Sequence, residues 1–436
     1  MINYPKIVKD KLTSIIRKIG KEKREYVRNP WKDFSRKRKL PFEKMIKIIL
    51  SLGGNSLNKE ILEYSGYDMK TASTSAFIQQ REKILPKAFE HIFKEFIESI
   101  SSLKTYEDHR LLAADGSDIA IACNPADTKT YYQTAPDTKG YNLLHLNAMY
   151  DLCNKLYVDA YIQPSRQENE HRALAYMADR SQITGKVILI ADRGYESYNV
   201  IAHMAEKGWK YIIRVKDVNS YGILSGLKLP DEPEFDEEIH LVLTRKQTNA
   251  VKSQPEVYKF LPKAVIFDYL DKNNQFYPIS FRAVRIEISD GIYETLITNL
   301  DSVAFPADKL KTLYNMRWGV ETSFRELKYS IGLSNFHAKK SEYILQEIFA
   351  RLVMYNFCEL IIMRVVIKQK PTKHGYQANF TVAICICRYF FRGRGNIRQS
   401  DVETLIQKYI LPIRNGRTFH RNIKSKPFIY FNYRIS

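Results

Sequence analysis

The stretch Tyr314-Asn-Met-Arg317-Trp318-Gly-Val-Glu321-Thr-Ser-Phe-Arg325-Glu-Leu-Lys328 decides how the rest of the 436-residue chain is read. At about 100° per residue, Tyr314, Arg317, Glu321 and Lys328 share one stripe of a helix, and Trp318 falls on the same side. Leu313, Met316, Val320, Phe324, Leu327 and Ile331 lie about 200–280° round from Tyr314. The pattern predicts one helix over 306–331 that packs its apolar face on a sheet and presents an acid framed by bases. Glu326 falls about 120° from Tyr314 and is left off the stripe. An ordinary polar helix face with ion pairs is the bland alternative.

Upstream, two short apolar runs each end in an aspartate. Residues 111–114 precede Asp115-Gly-Ser, and residues 187–191 precede Asp192-Arg193-Gly-Tyr. An Asp before Gly or Arg is often only a turn former. Two acids that each cap a strand, with a third on a helix, can instead meet over divalent metal, because hard cations take rigidly placed oxygen ligands.

The pattern around these acids predicts an α/β chain. Residues 1–105 show helical spacing. Strand-like runs follow at 111–114, 143–150, 156–162, 187–191 and 211–215, with amphipathic segments at 169–183 and 197–207, an order that suggests a mixed sheet. Period-two patches among turn residues mark 217–293 as a β-rich insertion. Helical spacing resumes at 306 and continues through two further apolar stretches to a basic tail. The expected organisation is a helical domain at 1–105, an α/β core at 106–216 and 294–340 interrupted by the insertion at 217–293, and a helical C-terminal region with a basic tail at 341–436. Residues 343–367, the most apolar stretch, contain Glu347, Arg351, Glu359 and Arg364, too much charge for a membrane span. They read as an amphipathic core helix.

The chain carries 68 Lys and Arg against 48 Asp and Glu, a formal net charge of +20. Residues 1–48 hold 16 bases and 5 acids and residues 388–436 hold 11 and 2, so the middle of the chain is balanced. Two basic ends interleaved with aromatic residues point to a polyanion partner. The run Arg36-Lys37-Arg38-Lys39 beside Trp31 and Phe34 is a candidate phosphate contact, or a solvated face. Five cysteines make no disulfide framework and suit a reducing, intracellular compartment. No signal peptide is visible. Cys385-Ile-Cys387 lacks a second metal-ligand pair and reads as core. Glu168, Glu170 and His171 open a helix, where dipole effects account for the acids as well as catalysis does.

Asp115-Gly-Ser, Asp192-Arg-Gly-Tyr and the spacing Tyr314-x2-Arg317-x3-Glu321-x6-Lys328 resemble the DDE transposases of the bacterial insertion sequence four family, named for a Tyr-Arg-Glu-Lys signature. The matching blocks lie within residues 110–340. The resemblance implies a ribonuclease-H-like core with a β-strand insertion between the second Asp and the Glu. It implies Asp115, Asp192 and Glu321 as catalytic and metal-binding residues holding two Mg²⁺ ions, with Mn²⁺ a substitute. Asp115 would bridge both ions, Asp192 hold one and Glu321 the other. Tyr314, Arg317, Trp318 and Lys328, with Arg193 and Arg325, become DNA-binding candidates. The implied activity is cut-and-paste transposition: metal-dependent cleavage of double-stranded DNA at terminal inverted repeats and strand transfer to target DNA, by a homodimer assembled on DNA. The implied setting is a bacterial, nucleoid-associated cytoplasmic one with no membrane partner. A metal-dependent nuclease or resolvase on the same fold, or an inactive transposase-derived DNA-binding protein, are the alternatives.

Overall fold

The computed structural model describes residues 4–36, 38–218, 220–367, 369, 375–393, 401–413 and 432–433. Most of the basic tail, and Lys37 of the basic run, lie outside these residues.

Five helices come first: α1 (Tyr4–Lys21), α2 (Phe42–Ser51), α3 (Leu57–Ser65), α4 (Thr74–Arg81) and α5 (Lys87–Glu98). Ser56 and Ser73 cap α3 and α4 by accepting main-chain N–H groups, and Gly66, at φ 67°, ends α3 in the left-handed conformation. In α5, Phe89, Ile92, Phe93 and Phe96 recur at three-to-four-residue spacing and are fully buried. The helical spacing expected over 1–105 is interrupted ahead of Pro86, where the chain turns between α4 and α5.

A ten-stranded mixed sheet follows. Its strands are β1 (His109–Ile121), β2 (Tyr131–Tyr132), β3 (Tyr141–Asp151), β4 (Leu156–Pro164), β5 (Lys186–Ala191), β6 (Lys210–Val215), β7 (Phe235–Thr244), β8 (Tyr258–Phe260), β9 (Phe276–Ser289) and β10 (Ile292–Thr298). The path is β2-β3-β1-β5-β6-β10-β9-β7-β8, with β4 on β3. β1, β5 and β6 are parallel neighbours, and α6 (Glu170–Asp179) and α7 (Tyr198–Glu206) are the connections on either side of β5. The strands read as a β-rich insertion extend this same sheet, because β10 pairs with β6 and runs on past residue 293 to Thr298.

β5 shows how the sheet is covered. Val187, Leu189 and Ala191 belong to the large core shared with α6, α7 and the helical region, whereas Ile188 and Ile190 belong to a smaller core with Leu310 and Leu313 of α9 (Ala307–Met316). Alternate side chains thus enter opposite layers. The expected single helix over 306–331 breaks for the same reason. α9 packs in the smaller core, while Val320 and Phe324 of α10 (Trp318–Arg325) pack in the larger one, and the two helices meet at Arg317, whose own φ of −51° and ψ of −33° stay helical. A π-helical turn, Glu326–Ser330, continues α10.

α11 (Ser341–Ile362) is buried on nearly every side from Tyr343 to Ile361 rather than amphipathic. Its charges are neutralised inside: Glu347 pairs with Arg81 Nη1 at 2.8 Å and with His337 Nδ1 at 3.1 Å, and Arg351 donates to Gly53 O at 3.1 Å. These contacts join the N-terminal helices to the sheet side of the molecule. α12 (Phe380–Arg392) and α13 (Asp401–Lys408) complete the fold, with Cys387 buried in α12 and Cys385 exposed. No helix among the described residues is long and apolar enough to cross a membrane.

Candidate active site

The parallel ladder between β1 and β5 ends at the partners Ala114 and Ala191. The next residue on each strand is an acid, so register alone brings Asp115 and Asp192 to the same level at one end of adjacent strands. Asp192 does end its strand: it caps a short 3₁₀ turn, Arg193–Tyr195, accepting the Gly194 N–H on Oδ1 at 2.8 Å. Asp115 does not. β1 continues to Ile121 as an antiparallel partner of β3, and the Gly116 N–H donates to Asp115 Oδ1 at 2.9 Å. The short run 111–114 marked only the fully buried part of a longer strand.

Glu321 enters on α10, which packs against β1 through the faces named above. Ser323 fixes the helix from beneath by its hydrogen bond with Tyr157 Oη at 2.8 Å. Burial lifts the pKa of Asp115 to about 6; the Gly116 N–H and Arg317 oppose the shift, and the charges of Asp192 and Glu321 add to it. The three carboxylates therefore share one electrostatic neighbourhood.

Arg317 is buried and donates from Nη2 to Glu321 Oε1 at 2.8 Å. Its guanidinium also lies 5.7 Å from the Tyr314 ring and 5.2 Å from the Trp318 ring. Trp318 is 53% exposed, whereas Tyr314 is buried in the smaller core. Lys328 is drawn inward: burial pushes its pKa down against the opposing charges of Asp118 and Asp115. Arg193 and Arg325 are exposed. Arg193 lines a cavity of about 740 Å³ between the Asp192 loop and β8. Glu326, off the stripe by helical angle, is partly buried and accepts a hydrogen bond from Tyr355 Oη at 3.1 Å, so its role is in packing.

Three buried polar atoms here have no hydrogen-bond partner among the described residues: Tyr195 Oη, Tyr314 Oη and Arg317 Nε. Such atoms are rare in folded chains unless water, an ion or a ligand completes them. Three carboxylates in one neighbourhood are the donor set that a hard divalent cation takes, and phosphate oxygens suit the orphaned donors.

The structure adds residues that the sequence pattern passed over. His145, on β3, lies between acids: Nδ1 is 2.9 Å from Asp118 and 3.2 Å from Glu168, and Nε2 is 3.1 Å from Glu170. Asp118, His145 and Glu168 are the one group of three possible ligands among the described residues whose ligand atoms all lie within 4.8 Å of one another. Burial alone would lower the His145 pKa, but the bonds to Asp118 and Glu170 and the charge of Glu168 lift it to about 9. A doubly protonated ring has no lone pair for a metal. The available signal was a histidine in a largely apolar strand that also holds Asn142, Asn147 and Asp151.

Residues 106–357 match the family described as a transposase DDE domain. A 164-residue segment is 26% identical to the transposase InsG of insertion sequence element IS4 from Escherichia coli (strain K12), covering 35% of this chain and 36% of that protein. The match thus spans about a third of the relative's length. Among solved structures, the cryo-EM structure of a piggyBac transposase synaptic complex with hairpin DNA is similar at a TM-score of 0.44 and 11% identity, over 96% of this chain and 87% of that one. The family match takes in Asp115, Asp192, the intervening sheet and the glutamate helix and covers more than half of the chain, which therefore belongs to the DDE transposase family.

Proposed function

We propose that this protein is the transposase of an insertion sequence, excising DNA at terminal inverted repeats and joining it to a target. The observation that carries this reading is the convergence of Asp115, Asp192 and Glu321, with Asp115 in the field of both other acids. The strand order around β1, β3, β4, β5 and β6, with helices on both layers, supports a ribonuclease-H-like core spanning 106–216 and 294–340, with 217–293 as its inserted part.

In this reading the three acids hold two Mg²⁺ ions, or Mn²⁺ in their place, which would activate water or a DNA 3′-OH and stabilise the leaving oxygen. Arg317 orients Glu321 through its Nη2 bond and has its Nε left to donate to a phosphate. Lys328 adds positive charge beside Asp115, and the Tyr314 hydroxyl is a further donor. Trp318, half-exposed beside Arg317, offers a stacking face for an extruded base. Arg193 and Arg325 contact the backbone further out. Residues 1–105 and the basic tail bind the DNA ends. Two copies assemble on two ends, because a net charge of +20 opposes self-association until DNA neutralises it. The setting in this reading is the nucleoid of a bacterial cell.

The test is cleavage of DNA carrying the inverted repeats that flank the gene. Asp115→Ala, Asp192→Ala and Glu321→Ala should each abolish Mg²⁺-dependent cutting while end binding survives. Near-normal cutting by any one variant removes that acid from the site.

A further inference from the structure

Glu170 is the first residue of α6, where an acid can be explained by the helix dipole alone. The structure assigns the capping to another residue: Asn169 is the cap and accepts the Arg172 N–H at 2.9 Å. The Glu170 carboxylate leaves the helix end and lies between the two aspartate elements. A Cβ built on Gly116 would stand 2.3 Å from Glu170 Oε1 and 2.4 Å from His145 Nε2. A Cβ built on Gly194 would stand 3.0 Å from Asp192 Oδ1 and 3.3 Å from Glu170 Oε2. The glycines that follow Asp115 and Asp192 therefore leave room for this one carboxylate, in space that a side chain at either position would fill.

The two oxygens of Glu170 differ in their partners. Oε1 is tied to His145 Nε2 at 3.1 Å, and Oε2 borders the same space beside Gly194 that Asp192 Oδ1 borders. The neighbouring His171 fastens the same loop by its Nε2 contact with Gly194 O at 2.7 Å. An independent observation marks the space as one that takes a ligand. Tyr195 is 1% exposed, its hydroxyl has no partner among the described residues, and it lies in the fields of Glu170, Asp115 and Asp192 together.

We propose that Glu170 is a fourth carboxylate of the metal centre, adding its free oxygen to those of Asp115 and Asp192 and held in place by His145. The inference rests on the metal-centre reading above and extends the acid set beyond the three that the helix and strand motifs supply. Its physical content is charge: an additional carboxylate raises affinity for a divalent cation and fixes the spacing of the two aspartate elements.

Mn²⁺ binding to the full-length protein without DNA, followed by electron paramagnetic resonance, tests it without reference to cleavage. Glu170→Gln keeps the shape and an acceptor for His145 but removes the charge, and Glu170→Ala removes both. Each is expected to weaken Mn²⁺ binding by at least the 10–100-fold, or about that range, typical of removing a partner that supports a metal site, with melting temperature and DNA affinity near those of the wild type. Asp192→Asn serves as the control. If wild type and Asp192→Asn bind Mn²⁺ equally, the metal-centre reading fails and the inference falls with it. If Asp192→Asn abolishes binding while either Glu170 variant binds as tightly as wild type, the fourth carboxylate alone is overturned. Failure of both Glu170 variants to fold would make Glu170 a structural residue and equally overturn the assignment.

Discussion

Arg317 Nη2 donates to Glu321 Oε1 at 2.8 Å, one helical turn apart across the point where α9 gives way to α10. The break is what makes the pair useful. Arg317 sits at the junction of the two cores, nearly closed off from solvent, and reaches the acid at the rim with one nitrogen while its Nε stays unpaired. Arg317→Ala should therefore lower single-turnover cleavage about 10²–10³-fold, the usual effect of removing a preorganised donor, with end binding changed far less. Arg317→Lys should restore little, since an ammonium cannot make the forked contact. Equal losses in binding and cleavage would show that Arg317 only holds DNA.

Trp318 is the exposed aromatic beside that pair. Stacking on a base is worth about 1–3 kcal/mol, so Trp318→Ala should reduce processing of a DNA end whose terminal base must leave the helix. A 2-aminopurine placed at the terminal base should be quenched by the wild-type protein and not by the variant.

The exposed bases Arg36, Arg38 and Lys39 next to Trp31 are the described part of the N-terminal basic run. Changing all three to Gln should flatten the log–log salt dependence of DNA binding by about 0.9 for each phosphate that is no longer neutralised. An unchanged slope would mark the run as a solvated face. Deleting 1–105 is a poorer experiment than the sequence suggests, because Arg81 of α4 is paired with Glu347 inside the molecule.

Glu347 is fully buried between Arg81, His337 and Arg351. Burial alone would raise its pKa, but Arg81, the contact with His337 and Arg351 hold it down at about 2. Glu347→Ala leaves buried positive charge unpaired and should cost about 3–5 kcal/mol in chemical denaturation. The sign with pH follows from linkage. The carboxylate's contribution is present above its unfolded value near 4.5 and is lost as pH falls toward about 2.

Glu359, on the same helix, behaves oppositely. Burial lifts its pKa to about 8, and the opposing charge of Lys155 does not cancel the effect. A carboxyl kept neutral in the fold but ionised in the unfolded chain makes stability decline as pH rises from about 4.5 to about 8. Glu359→Gln should remove that decline and stabilise the protein more at pH 8 than at pH 5, as read from thermal melts at both pH values. A variant no more stable than wild type at pH 8 would show that Glu359 is already compensated in the fold.

The local chemistry of this site was legible in the linear chain because it is written in short periods. Alternation and apolar runs mark the strands that carry Asp115 and Asp192, and a helical period places Tyr314, Arg317, Glu321 and Lys328 on one stripe. Period carries no information about which core each turn of a helix will meet. Only the packed sheet, with alternate β5 side chains entering two different cores, gives the turns on either side of Arg317 different cores to pack in. The same holds for α11, whose Glu347 reads as part of a wet face and is instead matched by Arg81 and His337 from elsewhere in the chain. The parallel register from His109↔Lys186 to Ala114↔Ala191, which sets Asp115 beside Asp192, joins residues some 77 apart in sequence. So does the meeting of His145 and Glu170 beside two glycines belong to the tertiary structure, since contacts between strands and helix ends depend on pairing that no local pattern encodes.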